Sequence, residues 1–149
     1  MPVTNIAKFE RFFRTVASLD VDKQDLKRYG DFVNHKTYDL LIRGQAAARA
    51  NGRDIIEPFD LPITKGLQER IHEFRKTDEQ IELKPTLDDV AALPPLDLAY
   101  DEETEARLPA IVGGLSVALA CTFKIIDPEL KNPRTEHWER AFRIFDLLL

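Results

Sequence analysis

The chain has little of what holds small secreted proteins together or anchors membrane proteins. Among its 149 residues there is one cysteine, Cys121, so no internal disulfide can form. A lone cysteine is typical of a reducing compartment, and the first residues lack the basic-then-apolar layout of a signal peptide. The longest uncharged stretch, residues 108–123, is shorter than the roughly 20 apolar residues of a membrane span. We therefore expect a cytoplasmic protein without membrane contact.

Residue types that carry catalytic or metal chemistry are also sparse. His35, His72 and His137 lack a second His or Cys at the spacing that two ligands on one helix need. Cys121 lies in an apolar stretch with no histidine close in sequence, which is typical of a buried structural thiol. Gly113-Gly114 lies within a predicted helix, and we expect it to mark the close crossing of two long helices. The sequence predicts a non-catalytic protein with no metal and no cofactor.

Charge is unevenly distributed along the chain. Residues 1–76 contain 14 Lys/Arg and 11 Asp/Glu, a net charge of +3, whereas residues 77–149 contain 7 and 15, a net charge of −8. The total of −5 excludes attraction of the whole surface to nucleic acid. A local basic face is therefore expected mostly on the N-terminal half.

Helical periodicity dominates the first half, and almost no stretch alternates as a strand does. A short helix is expected after a cap at Thr4 or Asn5. Asp22 caps a long second helix over about residues 23–51, which Asn51-Gly52 ends. A third helix follows the loop of residues 53–60, with Pro62 in its first turn.

The second half shows the same order of helices with a less clear pattern. A short helix is predicted over residues 86–93, a long one over residues 101–126, and a last one capped by Thr135. The hydrophilic residues 75–82 are expected to join the two halves, which have bounds of 1–76 and 77–149.

Neither half can bury its central helix alone. A helix of about 27 residues is about 40 Å long, and two short flanking helices cover only part of it. Two copies in one chain complete each other, as repeats do. We therefore predict one compact all-α domain over residues 1–149, monomeric by default.

Local motifs resemble those of a known family. Gly52-Arg53, followed by Pro58-Phe59-Asp60-Leu61, is similar to the archaeal-histone pattern at the start of the third helix. There the loop Arg pairs with an Asp seven positions later, as Arg53 and Asp60 are spaced. The whole chain resembles a bacterial family of uncharacterised single-chain double histone-fold (pseudodimeric histone) proteins. The resemblance extends over nearly the full length, through segments at residues 19–23, 38–41, 51–54, 60–69, 92–98 and 130–137.

The resemblance implies two fused histone folds, each of short, long and short helices, in an internal handshake. It also implies that paired loops form the two ends of the molecule, with residues 20–23 beside 127–135 and residues 53–60 beside 94–101. Histones contact phosphates through such loops and through the starts of their first helices. The implied DNA-binding residues are Lys8, Arg11, Arg14, Lys23, Lys27, Lys131, Arg134 and Thr135. We interpret Arg53 and Asp60 as a structural clamp, because the Arg can tie down its own loop.

Departures from the archaeal pattern weaken the expected attraction to DNA. Asp20, Asp54 and Ile55 stand where that pattern has an Arg, a basic residue and a Thr. The sequence therefore predicts weak, non-specific duplex binding through one basic face, as in a nucleoid-associated protein. Lys23, Lys27 and Lys131 also fit ordinary solvated lysines. The alternative is a histone-fold protein-interaction module that binds no nucleic acid.

Overall fold

The structure, a computed structural model, describes residues 3–81 and 95–149. These residues form a mainly helical protein, which confirms the predicted class. Its elements are α1 (Val3–Ala17), α2 (Lys23–Ala50), β1 (Ile55–Ile56), a 3-10 turn (Pro58–Asp60), α3 (Lys65–Ile81), β2 (Ala99–Tyr100), α4 (Glu102–Ile126) and α5 (Thr135–Leu148).

Local signals fix both ends of α2. The Asp22 carboxylate accepts hydrogen bonds from the backbone N–H groups of Gln24 and Asp25, and the Asp25 carboxylate accepts one from the Asp22 N–H in return. This reciprocal pair satisfies N–H groups that a helix start leaves without partners. At the other end, Asn51 is the C-cap and Gly52 adopts a φ of 72°, a conformation that favours glycine. The predicted boundaries of α2 are confirmed.

α4 is the most apolar helix of the described residues. Asp101 caps it by accepting a hydrogen bond from the Thr104 N–H at 2.8 Å. Within the part of the chain that the structure describes, α4 is the one helix long and apolar enough to cross a membrane by length and composition. Its most apolar 18-residue stretch is 56% buried within the protein, as in the core helix of a globular domain. Its stripe from Leu108 to Phe123 lies in the hydrophobic core.

The glycine pair of α4 faces a different helix from the one predicted. A Cβ atom at Gly113 would lie 2.1 Å from the ring of Phe74, and one at Gly114 would lie 2.5 Å from Ile71. Both neighbours belong to α3, which packs closely along α4. The expectation that these glycines mark the crossing of the two long helices is therefore wrong.

The two long helices instead meet through a buried polar contact. The hydroxyls of Tyr29 in α2 and Ser116 in α4 are hydrogen-bonded at 2.8 Å. Burial of the phenol raises the pKa of Tyr29 to about 12. α2 also packs against α5, where Phe32 stacks on Phe142 with 5.5 Å between ring centroids. The core thus joins helices from both halves of the chain.

Several predicted boundaries differ from those of the structure. α1 begins at Val3, so Thr4 and Asn5 lie within its first turn. α3 begins at Lys65, after Thr64 accepts a hydrogen bond from the Leu67 N–H, so Pro62 precedes it. Pro58, not Pro62, opens a helical turn.

Further differences lie at the proposed joint and in the second half. α3 continues to Ile81, so residues 75–81 are helical and do not form a loop between the halves. The expected loop of residues 94–101 contains β2. Arg134 caps α5 and Thr135 is its first residue. The helix predicted over residues 86–93 lies outside the described residues.

Candidate nucleic-acid interface

Two loops distant in sequence meet at one end of the molecule, as expected. The Asp20 N–H donates a hydrogen bond to the Lys131 carbonyl at 2.6 Å, which brings the loop before α2 beside the loop before α5. We call residues 20–28 and 127–137 the basic end after their exposed cations, Lys23, Lys27, Lys131 and Arg134, although these ranges contain six acidic and five basic residues. The Arg14 guanidinium, near the end of α1, lies 3.7 Å from the Asp20 carboxylate. The last turn of α1 therefore adjoins the basic end.

Most of the candidate DNA-binding side chains are exposed. Lys8, Arg11 and Arg14 are spaced three residues apart in α1, so they share one face of that helix, although Lys8 is half-buried. The exposed members are Arg11, Arg14, Lys23, Lys27, Lys131, Arg134 and Thr135. The structure thus gathers Arg14, Lys131 and the first turns of α2 at one end.

Arg28 is the central basic residue of this end, and no motif in the sequence singles it out. Its guanidinium donates a hydrogen bond to the Thr135 hydroxyl at 2.7 Å and contacts the Asp25 carboxylate at 3.5 Å. Thr135 is therefore engaged with Arg28. The spacing of Asp25 and Arg28 indicates their helical pairing, but the contact with Thr135 joins residues 107 positions apart.

A buried carboxylate and an indole lie below this contact. Asp25 is 3% exposed, and its carboxylate accepts a hydrogen bond from the Trp138 indole N–H at 2.9 Å. Burial raises the pKa of Asp25, while the hydrogen bond from the Asp22 N–H acts in the opposite direction. The pair ties the start of α2 to the start of α5 and fixes the position from which Arg28 extends.

Between the two loops lies a cleft with a volume of about 660 Å³. Acidic side chains outnumber basic ones in its lining, which contains Asp22, Asp25, Asp127, Glu129 and Glu136 against Arg28, Lys131 and Arg134. Such a lining disfavours a phosphate inside the cleft. Of the exposed cations, Lys23 and Lys27 lie outside this lining, whereas Lys131 and Arg134 belong to it.

The opposite end, which we call the acidic end, consists of residues 53–60 and 95–103. β1 and β2 pair there in parallel, with Ile55 opposite Ala99. The Arg53 guanidinium donates two hydrogen bonds to the Asp60 carboxylate, at 2.7 and 2.5 Å. The side chain of Asp60 is nearly inaccessible, and it also accepts the Glu57 N–H at 2.8 Å. Arg53 and Asp60 thus have the geometry of the predicted clamp.

This clamp implies a pH dependence of stability. Hydrogen bonding to Arg53 lowers the pKa of Asp60 below its ordinary value of 3.8. Because the folded-state pKa lies below the unfolded-state value, the stabilisation is complete above about pH 3.8 and is lost as the pH falls through the folded-state pKa. We expect Arg53→Met to raise the pKa of Asp60 and to lower the melting temperature more at pH 7 than at pH 3, which lies below the ordinary value of 3.8. NMR titration of the Asp60 carboxyl and melting curves at both pH values would test this, and an unchanged pKa would contradict it.

Groups that suit a metal ion or a nucleophile are scarce in the described parts of the chain. No three His, Cys, Asp or Glu side chains cluster there as metal ligands would. His137 accepts a hydrogen bond from the Arg134 N–H through Nδ1, which stabilises the start of α5. Cys121 is half-buried, and burial raises the pKa of its thiol, so little reactive thiolate is present at neutral pH.

These features define a small, mainly helical protein whose two ends are each built from a pair of loops distant in sequence. The chain belongs to the family described as a domain of unknown function, DUF1931, which matches residues 9–146.

Similar proteins occur in Thermus thermophilus and in Aquifex aeolicus. A crystal structure from Thermus thermophilus is 57% identical, with a TM-score of 0.89 and 97% of each chain covered. One from Aquifex aeolicus is 28% identical, with a TM-score of 0.79, covering 97% of this chain and 95% of that one. An uncharacterised protein of Aquifex aeolicus (strain VF5) is 30% identical over 139 residues, 93% of this chain and 81% of its own length.

Proposed function

We propose that this chain is a double histone fold that binds duplex DNA weakly and without sequence preference. It would act as a nucleoid-associated monomer, with no cofactor and no catalytic step. The fold proposal is supported by the order of the elements. In the described residues, α1 (15 residues), α2 (28 residues) and α3 (17 residues) are followed by α4 (25 residues) and α5 (14 residues). Core contacts join the first three helices to the last two. The pairing of distant loops at each end is what an internal histone handshake would produce.

The observation that carries the DNA proposal is the hydrogen bond between Asp20 and Lys131. This contact places the cations of α1 and of the first turns of α2 beside those of the loop before α5. A phosphate backbone lying across this end could meet Lys23, Lys27, Lys131 and Arg134 on exposed side chains. Contacts of this kind position a protein on DNA but carry no sequence information.

The acidic side chains limit the strength of this interaction. Asp20 pairs with Arg14 and reduces its attraction to phosphate, and the cleft between the loops has an acidic lining. About three or four phosphate contacts remain, so the logarithm of the affinity should fall with the logarithm of salt concentration at a slope of roughly −3 to −4. The opposite end repels DNA.

The test is a fluorescence polarisation titration of a labelled duplex between about 50 and 200 mM salt. We expect the double variant Lys131→Glu/Arg134→Glu to bind more weakly at every salt concentration and to reduce the magnitude of the slope by about 2. Arg43→Glu/Arg107→Glu is the matched control, because it reverses the same number of charges on exposed side chains away from the basic end. We expect the control to lose less affinity and to keep the slope.

Absence of binding by the unaltered chain at the lowest salt concentration would refute the DNA proposal. Equal losses of DNA affinity in the two double variants would show that only the net charge of the protein matters and that the basic end is not the interface.

The acidic lining of the cleft favours a second candidate function. A histone fold without DNA would serve as a protein-interaction module, and a cleft in which five acidic side chains face three basic ones suits a protein surface better than a phosphate backbone. The same titration separates the two candidates, because an interaction module would not bind the duplex even at low salt.

A further inference from the structure

An aromatic side chain projects into solvent at the acidic end, away from the proposed DNA surface. Phe59 is 74% exposed, and Ile55 of the same loop is 37% exposed. Surface apolar residues that stand singly are normal, so exposure alone assigns no role. What distinguishes Phe59 is how firmly its loop is held.

Three interactions hold the loop that carries Phe59. The Arg53 guanidinium carbon lies 4.9 Å from the centroid of the Phe59 ring, while the same guanidinium is bonded to Asp60. Phe59 is the middle residue of the 3-10 turn, and β1 just before it is paired with β2. An exposed ring on a rigid loop loses little conformational freedom on binding, which makes it an efficient anchor at an interface.

The surroundings of the ring select the charge of its partner. The acidic end that carries Phe59 also carries acidic side chains in the same loop, in the loop paired with it and in the first turn of α4, namely Asp54, Glu57, Asp97, Asp101, Glu102 and Glu103. Three of these acids already pair with cations: Glu57 with Arg53 at 3.3 Å, Asp97 with Arg49 at 3.0 Å and Glu103 with Arg107 at 3.5 Å. The acidic end nevertheless holds seven acidic residues against one basic residue, Arg53, and its charge stays negative when Arg49 and Arg107 are added. A basic partner is therefore attracted to this surface, and a nucleic acid is repelled by it.

We propose that the acidic end is a docking surface for a basic polypeptide segment, with Phe59 as the anchor that enters an apolar part of the segment. The apolar contact supplies most of the affinity, and the acidic side chains supply charge complementarity and rapid association. This inference does not depend on DNA binding, because it uses the opposite end of the molecule.

The experiment uses the full chain and a display library of random peptides of about 12 residues, a length sufficient for a single docking segment. Peptides that bind the unaltered chain are sequenced, and their affinities are then measured for Phe59→Ser and for Leu147→Ser. Leu147 is the matched control, because it is an exposed apolar residue on α5 and is 84% exposed. Both variants should keep the melting temperature of the unaltered chain, since neither side chain is buried.

We expect the selected peptides to be rich in Lys and Arg with interspersed apolar residues. Phe59→Ser should weaken their binding by about tenfold or more, whereas Leu147→Ser should leave it unchanged. The proposal is overturned if no peptides are enriched, if the enriched peptides are not basic, or if they bind Phe59→Ser as tightly as the unaltered chain. Failure of duplex binding in the salt titration would leave this result unaffected, so the two proposals fail separately.

Discussion

Replacing Trp138 by alanine is expected to lower the free energy of unfolding by about 3–5 kcal/mol. The indole is 1% exposed and makes an edge-to-face contact with Phe123, with 4.9 Å between ring centroids. Its N–H donates to the buried carboxylate of Asp25. Alanine would remove both interactions and leave a cavity between α4 and α5. Urea unfolding followed by circular dichroism measures the loss.

The variant Trp138→Phe removes the hydrogen bond and keeps most, but not all, of the packing of the indole. Phenylalanine keeps a ring in the core but cannot donate to Asp25, so a buried carboxylate oxygen loses a donor. We expect a loss of about 1–3 kcal/mol for this variant. Leu147→Ala is the control on the same helix, and a change within about 0.5 kcal/mol is expected because Leu147 is exposed. A Trp138→Phe variant as stable as the unaltered chain would show that the bond to Asp25 contributes nothing.

Elements governed by local chemistry could be predicted from the sequence. Asp22 is a strong helix cap followed by a long apolar stripe, and Asn51-Gly52 is a strong stop, so the bounds of α2 follow from neighbouring residues. The spacing of Arg53 and Asp60, together with the family resemblance, indicated their pairing, because both belong to one short loop. Where two local signals compete, prediction fails. Both Pro58 and Pro62 can begin a helical turn, but the Thr64 hydroxyl accepts the Leu67 N–H and α3 begins at Lys65.

Much of the candidate site depends on contacts that no local pattern encodes. The basic residues of the basic end could be predicted because the family resemblance implies paired loops there. Arg28 was missed because its partner Thr135 lies far along the chain, and the acidic lining of the cleft was missed because its side chains come from both loops. A sequence shows the charge of each segment, but the field at a site is the sum over segments that the fold brings together.

The glycine pair of α4 illustrates the same limit in the core. Two small residues in an apolar helix predict that another element approaches closely, and the structure has such an approach. They do not identify that element, because α2 and α3 both carry apolar stripes that could fit. The neighbouring side chains, Phe74 and Ile71, assign the contact to α3.

Alanine at Gly114 is expected to lower the free energy of unfolding by about 1–3 kcal/mol, although alanine is the better helix former by about 1 kcal/mol. The added Cβ would lie 2.5 Å from Ile71 Cγ1, 3.0 Å from its backbone N and 3.1 Å from its Cα. A side chain can rotate away from such a contact, but a helix backbone cannot. α3 must therefore move away from α4, which loosens packing along both helices. Thermal and urea unfolding measure the change.

Gly30→Ala is the matched control, because Gly30 lies within α2 and an added Cβ there meets no atom within 4 Å. With no contact to oppose it, helix propensity should decide the result, and we expect stability to rise by about 1 kcal/mol. The same chemical change should therefore have opposite signs at the two positions. If Gly114→Ala were as stabilising as Gly30→Ala, backbone contact between α3 and α4 could not be what requires glycine at position 114. The packing of α3 against α4 would then have to be looser than the distance of 3.0 Å from the added Cβ to the Ile71 backbone N indicates.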